Sequence, residues 1–144
     1  MPENRIATAS VTIDASRERV WAALTNPELI AQYMFGSTVT SDWMPGSPIT
    51  YAGEYEGKKY EDHGTILEIR PNELLRSTHF SPLSGQPDVP ENYHTITYTL
   101  ERQGVRTRLE LVQDNNGSEE EAEHSAANWM QMLEALKSVV ESSP

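Results

Sequence analysis

The residues best equipped for chemistry in this chain are four histidines, His63, His79, His94 and His124, together with the carboxylates in Tyr60-Glu61-Asp62-His63. A carboxylate that orients an imidazole is a common pairing for general acid–base work. Beside a hairpin, the same run also fits a solvated strand end. By strand alternation His63 falls on the side of Leu67 and Ile69, the expected concave face, where it either orients a ligand or is satisfied by its neighbours. No His-x-x-x-His or His-x-Glu spacing occurs, so no metal site is expected. Gly-x-Ser-x-Gly and Ser-x-x-Lys are absent, the eight glycines are scattered, and there is no cysteine. Local signatures for a hydroxyl nucleophile, a phosphate cradle and thiol chemistry are therefore missing. The motifs assign no catalytic residue and no cofactor.

Aromatic side chains say more. Trp21, Trp43 and Trp129 recur with Tyr33, Tyr51, Tyr55, Tyr60, Tyr93 and Tyr98 at strand interiors and near helices. Most of them read as core packing. Yet a sheet face that mixes Tyr51, Gly53, His79, Tyr98 and Thr107 with aliphatics is more polar than a closed core, and buried hydroxyls and imidazoles need partners. A hydrated or ligand-filled cavity would supply them. The expected lining is Tyr51, Leu67, His79, Tyr98 and Leu109 on one wall, with Trp129, Met130 and Leu133 on the other.

Positioning these side chains requires a sheet and a long helix, and the hydrophobic pattern predicts both. Arg5 to Ile13 alternates as a first strand. Ser16 caps a helix from Arg17 to Thr25, and Asn26-Pro27 opens a second that runs to about Met34. Gly36, Pro45, Gly46 and Pro48 mark a loop with a short strand near Thr38 to Thr40. Ile49 to Glu54 alternates, Glu56-Gly57-Lys58 reads as a tight hairpin turn, and the return strand covers Tyr60 to Ile69 before Arg70-Pro71-Asn72. Leu74 to Phe80 follows. Ser81 to Asn92, with Pro82, Gly85, Pro87 and Pro90, reads as a rim, a lid or a mobile segment. Tyr93 to Leu100 and Thr107 to Gln113 form a hairpin around Gln103-Gly104. Its Ile96, Tyr98, Leu100, Leu109 and Leu111 share one face, while Thr97, Thr99, Arg108 and Glu110 face water. Ser118 with Glu121 is a capping box, and Ala122, Ala126, Trp129, Leu133, Leu136 and Val140 form one helical stripe. No repeat or boundary interrupts this order, so one α+β domain over residues 1–144 is expected.

Eleven basic against 22 acidic residues give a net charge of -11, which repels phosphate backbones and anionic lipid. No nucleic-acid or membrane partner is expected. There is no apolar run near eighteen residues and no apolar stretch after Met1-Pro2-Glu3-Asn4-Arg5, which points to a cytoplasmic protein without a secretory leader.

Val20-Trp21-Ala22-Ala23-Leu24-Thr25-Asn26-Pro27-Glu28-Leu29 resembles the signature near the start of START-like (SRPBCC) domains, and more narrowly the family named after the activator of the heat-shock-protein-90 ATPase. Gly64-Thr65-Ile66-Leu67-Glu68-Ile69-Arg70-Pro71 is similar to that family's central strand. Ile96 to Glu101 with Thr107 to Leu111 is similar to its closing hairpin, and Trp129, Leu133, Leu136 and Lys137 to its final helix. The resemblance spans about residues 5 to 142. It implies a helix-grip fold: a curved antiparallel sheet around a long C-terminal helix, with two short helices after the first strand. It also implies a cavity for lipids, polyketides or other apolar molecules, and some relatives are cyclases, aromatases or hydrolases. Two departures stand out, Gln32-Tyr33-Met34-Phe35 where the family carries bulkier aromatics, and the Pro- and Gly-rich Ser81 to Asn92. Chaperone contact is only weakly implied, since in the eukaryotic activator a separate N-terminal domain makes much of it. The expected partner is a small apolar molecule. An enzyme using His63 or His79 is the alternative, and oligomeric state is not legible.

Overall fold

The computed structural model describes residues 5–34, 36–82 and 85–142. Four readings therefore touch residues outside that set: the leader reading at Met1–Asn4, Phe35 of the Gln32–Phe35 stretch, Leu83 and Ser84 of Ser81–Asn92, and the ends of the domain expected over residues 1–144. The elements run β1 (Arg5–Ile13), α1 (Arg17–Thr25), α2 (Pro27–Tyr33), β2 (Thr38–Ser41), β3 (Pro48–Tyr55), β4 (Lys58–Arg70), β5 (Leu74–His79), β6 (His94–Gln103), β7 (Arg106–Asn116) and α3 (Glu119–Ser142). Seven strands form one sheet in the order β1-β7-β6-β5-β4-β3-β2, every neighbouring pair antiparallel. With α3 laid along β1 and two short helices after that strand, this is the helix-grip fold.

Local chemistry sets the element ends. Ser16 Oγ accepts a hydrogen bond from the Arg19 N–H to start α1. Asn26 closes that helix by donating its N–H to Ala22 O, then opens α2 by accepting from the Glu28 N–H at 3.0 Å. Pro27 at the first helical turn loses no needed bond there. Tyr55 pairs with Lys58, leaving a two-residue turn in which Glu56 and Gly57 both take positive φ, 50° and 81°. That is the turn whose twist matches antiparallel strands. At α3, Ser118 Oγ accepts from the Glu121 N–H, and the Glu121 carboxylate accepts from the Gly117 N–H.

β4 contains the one irregularity that redirects side chains at the site. Ile66 pairs with Ser77 and Glu68 with Arg76, so Leu67 is an extra residue. Such a bulge moves the residues beyond it to the opposite face. Before it, Tyr60, Asp62, Gly64 and Ile66 point inward; after it, Ile69 does. Straight alternation from Ile69 back to His63 therefore assigns both Leu67 and His63 to the wrong side. Leu67 is 47% exposed.

The core is closed at one end of the helix–sheet contact. Leu133 and Leu136 of α3 cluster with Val11 and Ile13 of β1, Leu109 and Leu111 of β7, and Val20 and Leu24 of α1. Each fully buried leucine there contributes about 1.5–3 kcal/mol. Polar ties seal the same end. Lys137 Nζ donates to Thr12 O at 2.8 Å, Arg19 donates to Val140 O at 2.5 Å, and Glu141 accepts from the Asp14 N–H at 2.8 Å.

Candidate functional site

At the other end, α3 and the sheet border an open cavity of about 500 Å³. Tyr33, Met34 and Ser37 line it from α2 and the segment after it, Tyr51 from β3, and Tyr60 and Asp62 from β4. Ser77 and His79 of β5, Ser81, Ile96 and Tyr98 of β6, and Gln113 of β7 continue the wall. Ser125, Asn128, Trp129 and Met132 face it from α3, at the spacing of one helical face.

Two glycines shape the β4 side. A Cβ on Gly64 would sit 1.8 Å from Thr78 O, so only glycine permits the backbone approach that sets His79 beside Asp62. Gly53 pairs with Tyr60, and a Cβ there would meet the Tyr60 hydroxyl at 2.6 Å. The Tyr60 ring lies over that gap and its hydroxyl hydrogen-bonds Ser37 Oγ.

The polar groups of the cavity are unevenly satisfied. His79 Nε2 is 3.1 Å from Asp62 Oδ2, and Tyr51, the register partner of Asp62, meets His79 edge-on at 6.1 Å. Asp62 Oδ1 is buried with no hydrogen-bond partner among the described residues. Tyr33 donates to Ala23 O at 2.6 Å, and Trp129 Nε1–H donates to Gln113 Oε1 at 2.5 Å. The hydroxyls of Tyr51 and Tyr98 have no hydrogen-bond partner among the described residues. Burial is the main cause that pushes the Tyr33, Tyr51 and Tyr98 phenols above their ordinary range, with the Asp62 carboxylate adding to it at Tyr51. These phenols stay protonated at neutral pH, and those of Tyr51 and Tyr98 are ready to donate.

The proposed lining is brought together only in part. Tyr51, His79, Tyr98 and Trp129 face the cavity. Leu67 does not, because the bulge turns it outward. Leu109 and Leu133 lie on the inward face but at its closed end, each 0% exposed. Met130 is half-buried against the core, one helical position away from the face that looks into the cavity. His63 lies outside: its Nε2 is 3.0 Å from both Asp88 Oδ2 and the Tyr93 hydroxyl, beside Phe80. Tyr93 donates to Asp88 Oδ1 at 2.5 Å, and this bond is the main cause holding the Asp88 carboxyl below its usual range. Asn92 Nδ2 donates to Pro87 O and Asn115 Nδ2 to Glu91 O, so the later half of the Ser81–Asn92 stretch is pinned to the sheet.

Sequence reasoning missed Tyr60, Asp62, Ser77 and Gln113. The last two stand two residues from His79 and Leu111 on their own strands, so alternation alone could have found them. Tyr60 and Asp62 needed the position of the bulge. Among the described residues no group of three or more His, Asp or Glu side chains is placed to hold a metal ion. No described helix is long and apolar enough to cross a membrane.

A family model described as Activator of Hsp90 ATPase homolog 1-like protein matches residues 14–141. The solution structure of ChR145 from Cytophaga hutchinsonii is 51% identical, with a TM-score of 0.85 and 97% of each chain covered. CalU16 from Micromonospora echinospora is 20% identical, with a TM-score of 0.70 over 96% of this chain and 85% of its own. The Aha1 dimer from Colwellia psychrerythraea is likewise 20% identical, with a TM-score of 0.73 over 95% of this chain and 96% of its own. These last two likenesses are of fold. No curated protein matches the chain.

Proposed function

The chain belongs to the Activator of Hsp90 ATPase homolog 1-like family, and from that premise we propose that it is a cytoplasmic protein that holds a small, largely apolar molecule between α3 and the sheet. What carries this is the cavity itself. Its volume of about 500 Å³ falls within the usual range for small-ligand pockets. Aromatic and aliphatic walls suit an apolar body, and the unpartnered hydroxyls of Tyr51 and Tyr98 would be satisfied by a few polar atoms on it. The test is an apolar fluorescent probe. It is expected to bind and to alter tryptophan emission, since Trp129 forms part of the wall. Tyr98→Trp, which fills the cavity, is expected to exclude it. Equal binding by parent and variant would remove the cavity as the site.

One observation favours a second reading, a cyclase or hydrolase. His79, oriented by Asp62 at 3.1 Å, has the arrangement of a general base facing a ligand space. His63, on the outer side, adds nothing to it. Under this reading His79→Gln would abolish turnover of a bound substrate without abolishing binding.

A further inference from the structure

On the basis of that binding reading, we propose that the ligand is an organic amine that carries its positive charge in beside Asp62, and that carboxylates and phosphate esters are excluded. Asp62 lines the cavity with its side chain about one-fifth exposed, at 21%. Its Oδ2 has His79 as partner, while its Oδ1 is closed off from solvent and has no partner among the described residues. A largely buried carboxylate whose partner among the described residues is one imidazole favours a nearby cation. No lysine or arginine is among the lining residues, so an anionic ligand would meet Asp62 with only the His79 imidazole beside it.

The neutral groups point the same way. When His79 donates its Nε2–H to Asp62, Nδ1 is left as an acceptor, and it has no protein partner among the described residues. An ammonium group brings three donors to acceptors of this kind. Tyr51, Tyr60, Tyr98 and Trp129 line the same space, and the negative quadrupole of an aromatic face attracts cations. Across the whole chain the net charge of -11 draws cations toward the surface and repels anions. Charge, hydrogen bonding and aromatic walls thus select one class: an aromatic or aliphatic body with a protonated amine.

Phenylbutylamine, phenylbutanol and phenylbutyrate share a body and differ in the head group. Isothermal titration of the three at neutral pH is expected to rank amine over alcohol by roughly tenfold or more, with the acid weakest, as a charge-assisted contact requires. In Asp62→Asn the amine-to-alcohol ratio is expected to fall to near one. Alcohol or acid binding as tightly as the amine overturns the proposal but leaves the cavity reading intact. The same holds if none of the three binds while the apolar probe does. If the probe also fails to bind, both readings fall. A preference for amine that survives in folded Asp62→Asn likewise overturns the role given to Asp62. If that variant does not fold, the ranking on the parent protein decides.

Discussion

Toward its C-terminus α3 presents Leu133, Leu136 and Val140, at 0%, 0% and 4% exposure, to a sheet face of Val11, Ile13, Leu109 and Leu111. Toward its N-terminus the same helix presents Ser125, Asn128, Trp129 and Met132 to Tyr98, Ser77, His79 and Gln113, and leaves a cavity between them. The closed end is aliphatic on both sides, and its three polar ties join the helix to β1, to Asp14 just after it and to α1. The open end faces side chains too polar to be packed without partners. One helix therefore does two jobs. Its C-terminal half supplies stability, and that frees its N-terminal half to stand off the sheet over a space that side chains do not fill.

Truncations on the two halves are the largest test of that division. Leu133→Ala, at the closed end, is expected to cost about 2–5 kcal/mol by denaturant unfolding, the range for a leucine whose removal leaves a void. Met132→Ala, on the cavity face, opens no new void where space already exists and is expected to cost under about 1.5 kcal/mol. Similar losses at both positions would mean that the cavity end is packed as tightly as the core.

The division also separates what the sequence made legible from what it hid. Strand alternation and the helical stripe found the elements and named the inward face, because burial imposes those periods on the residue types. Leu109 and Leu133 were placed on that face but at its wrong end, since periodicity along an element carries no information on where two elements part. Leu67 and His63 were misplaced for another reason. A one-residue bulge leaves the composition of β4 unchanged while reversing its parity, and the pairing of Ile66 with Ser77 and Glu68 with Arg76 exists only once β5 is in place. Tyr51, His79, Tyr98 and Trp129 were legible as cavity-facing because polar or aromatic residues at inward positions are costly in a closed core.

Alkaline titration sharpens the contrast through three buried phenols at the open end. Tyr33, Tyr51 and Tyr98 have folded pKa values above their ordinary value of 10.0. For a group raised in the folded state, the stabilising contribution is complete below the unfolded value and is lost as pH rises from there toward the folded value. Stability is thus expected to be level below about pH 9 and to fall above pH 10, by about 1.4 kcal/mol per pH unit for each phenol that ionises only on unfolding. Denaturant midpoints across that range, read with phenolate absorbance, check this. Tyr51→Phe should flatten the fall, whereas Leu136→Val at the closed end should lower every midpoint without changing the slope. A phenolate signal that rises well before unfolding would show that these hydroxyls are open to solvent.

The smallest effect concerns how the open end of α3 is held. With few packed aliphatics there, the first turn relies on its cap: Ser118 Oγ accepts from the Glu121 N–H at 3.0 Å, and Glu121 accepts from the Gly117 N–H at 2.6 Å. Ser118→Ala is expected to cost about 1 kcal/mol, as the loss of a helix cap does. The informative quantity is where that loss is felt. If the two ends are independently held, amide exchange should quicken over residues 119–125 and stay unchanged over 133–142, because the closed end opens only with the whole domain. Equal acceleration along the full helix would make α3 one cooperative unit. The standing-off half would then depend on the packed half for its order, and the cavity could widen only at the expense of the core.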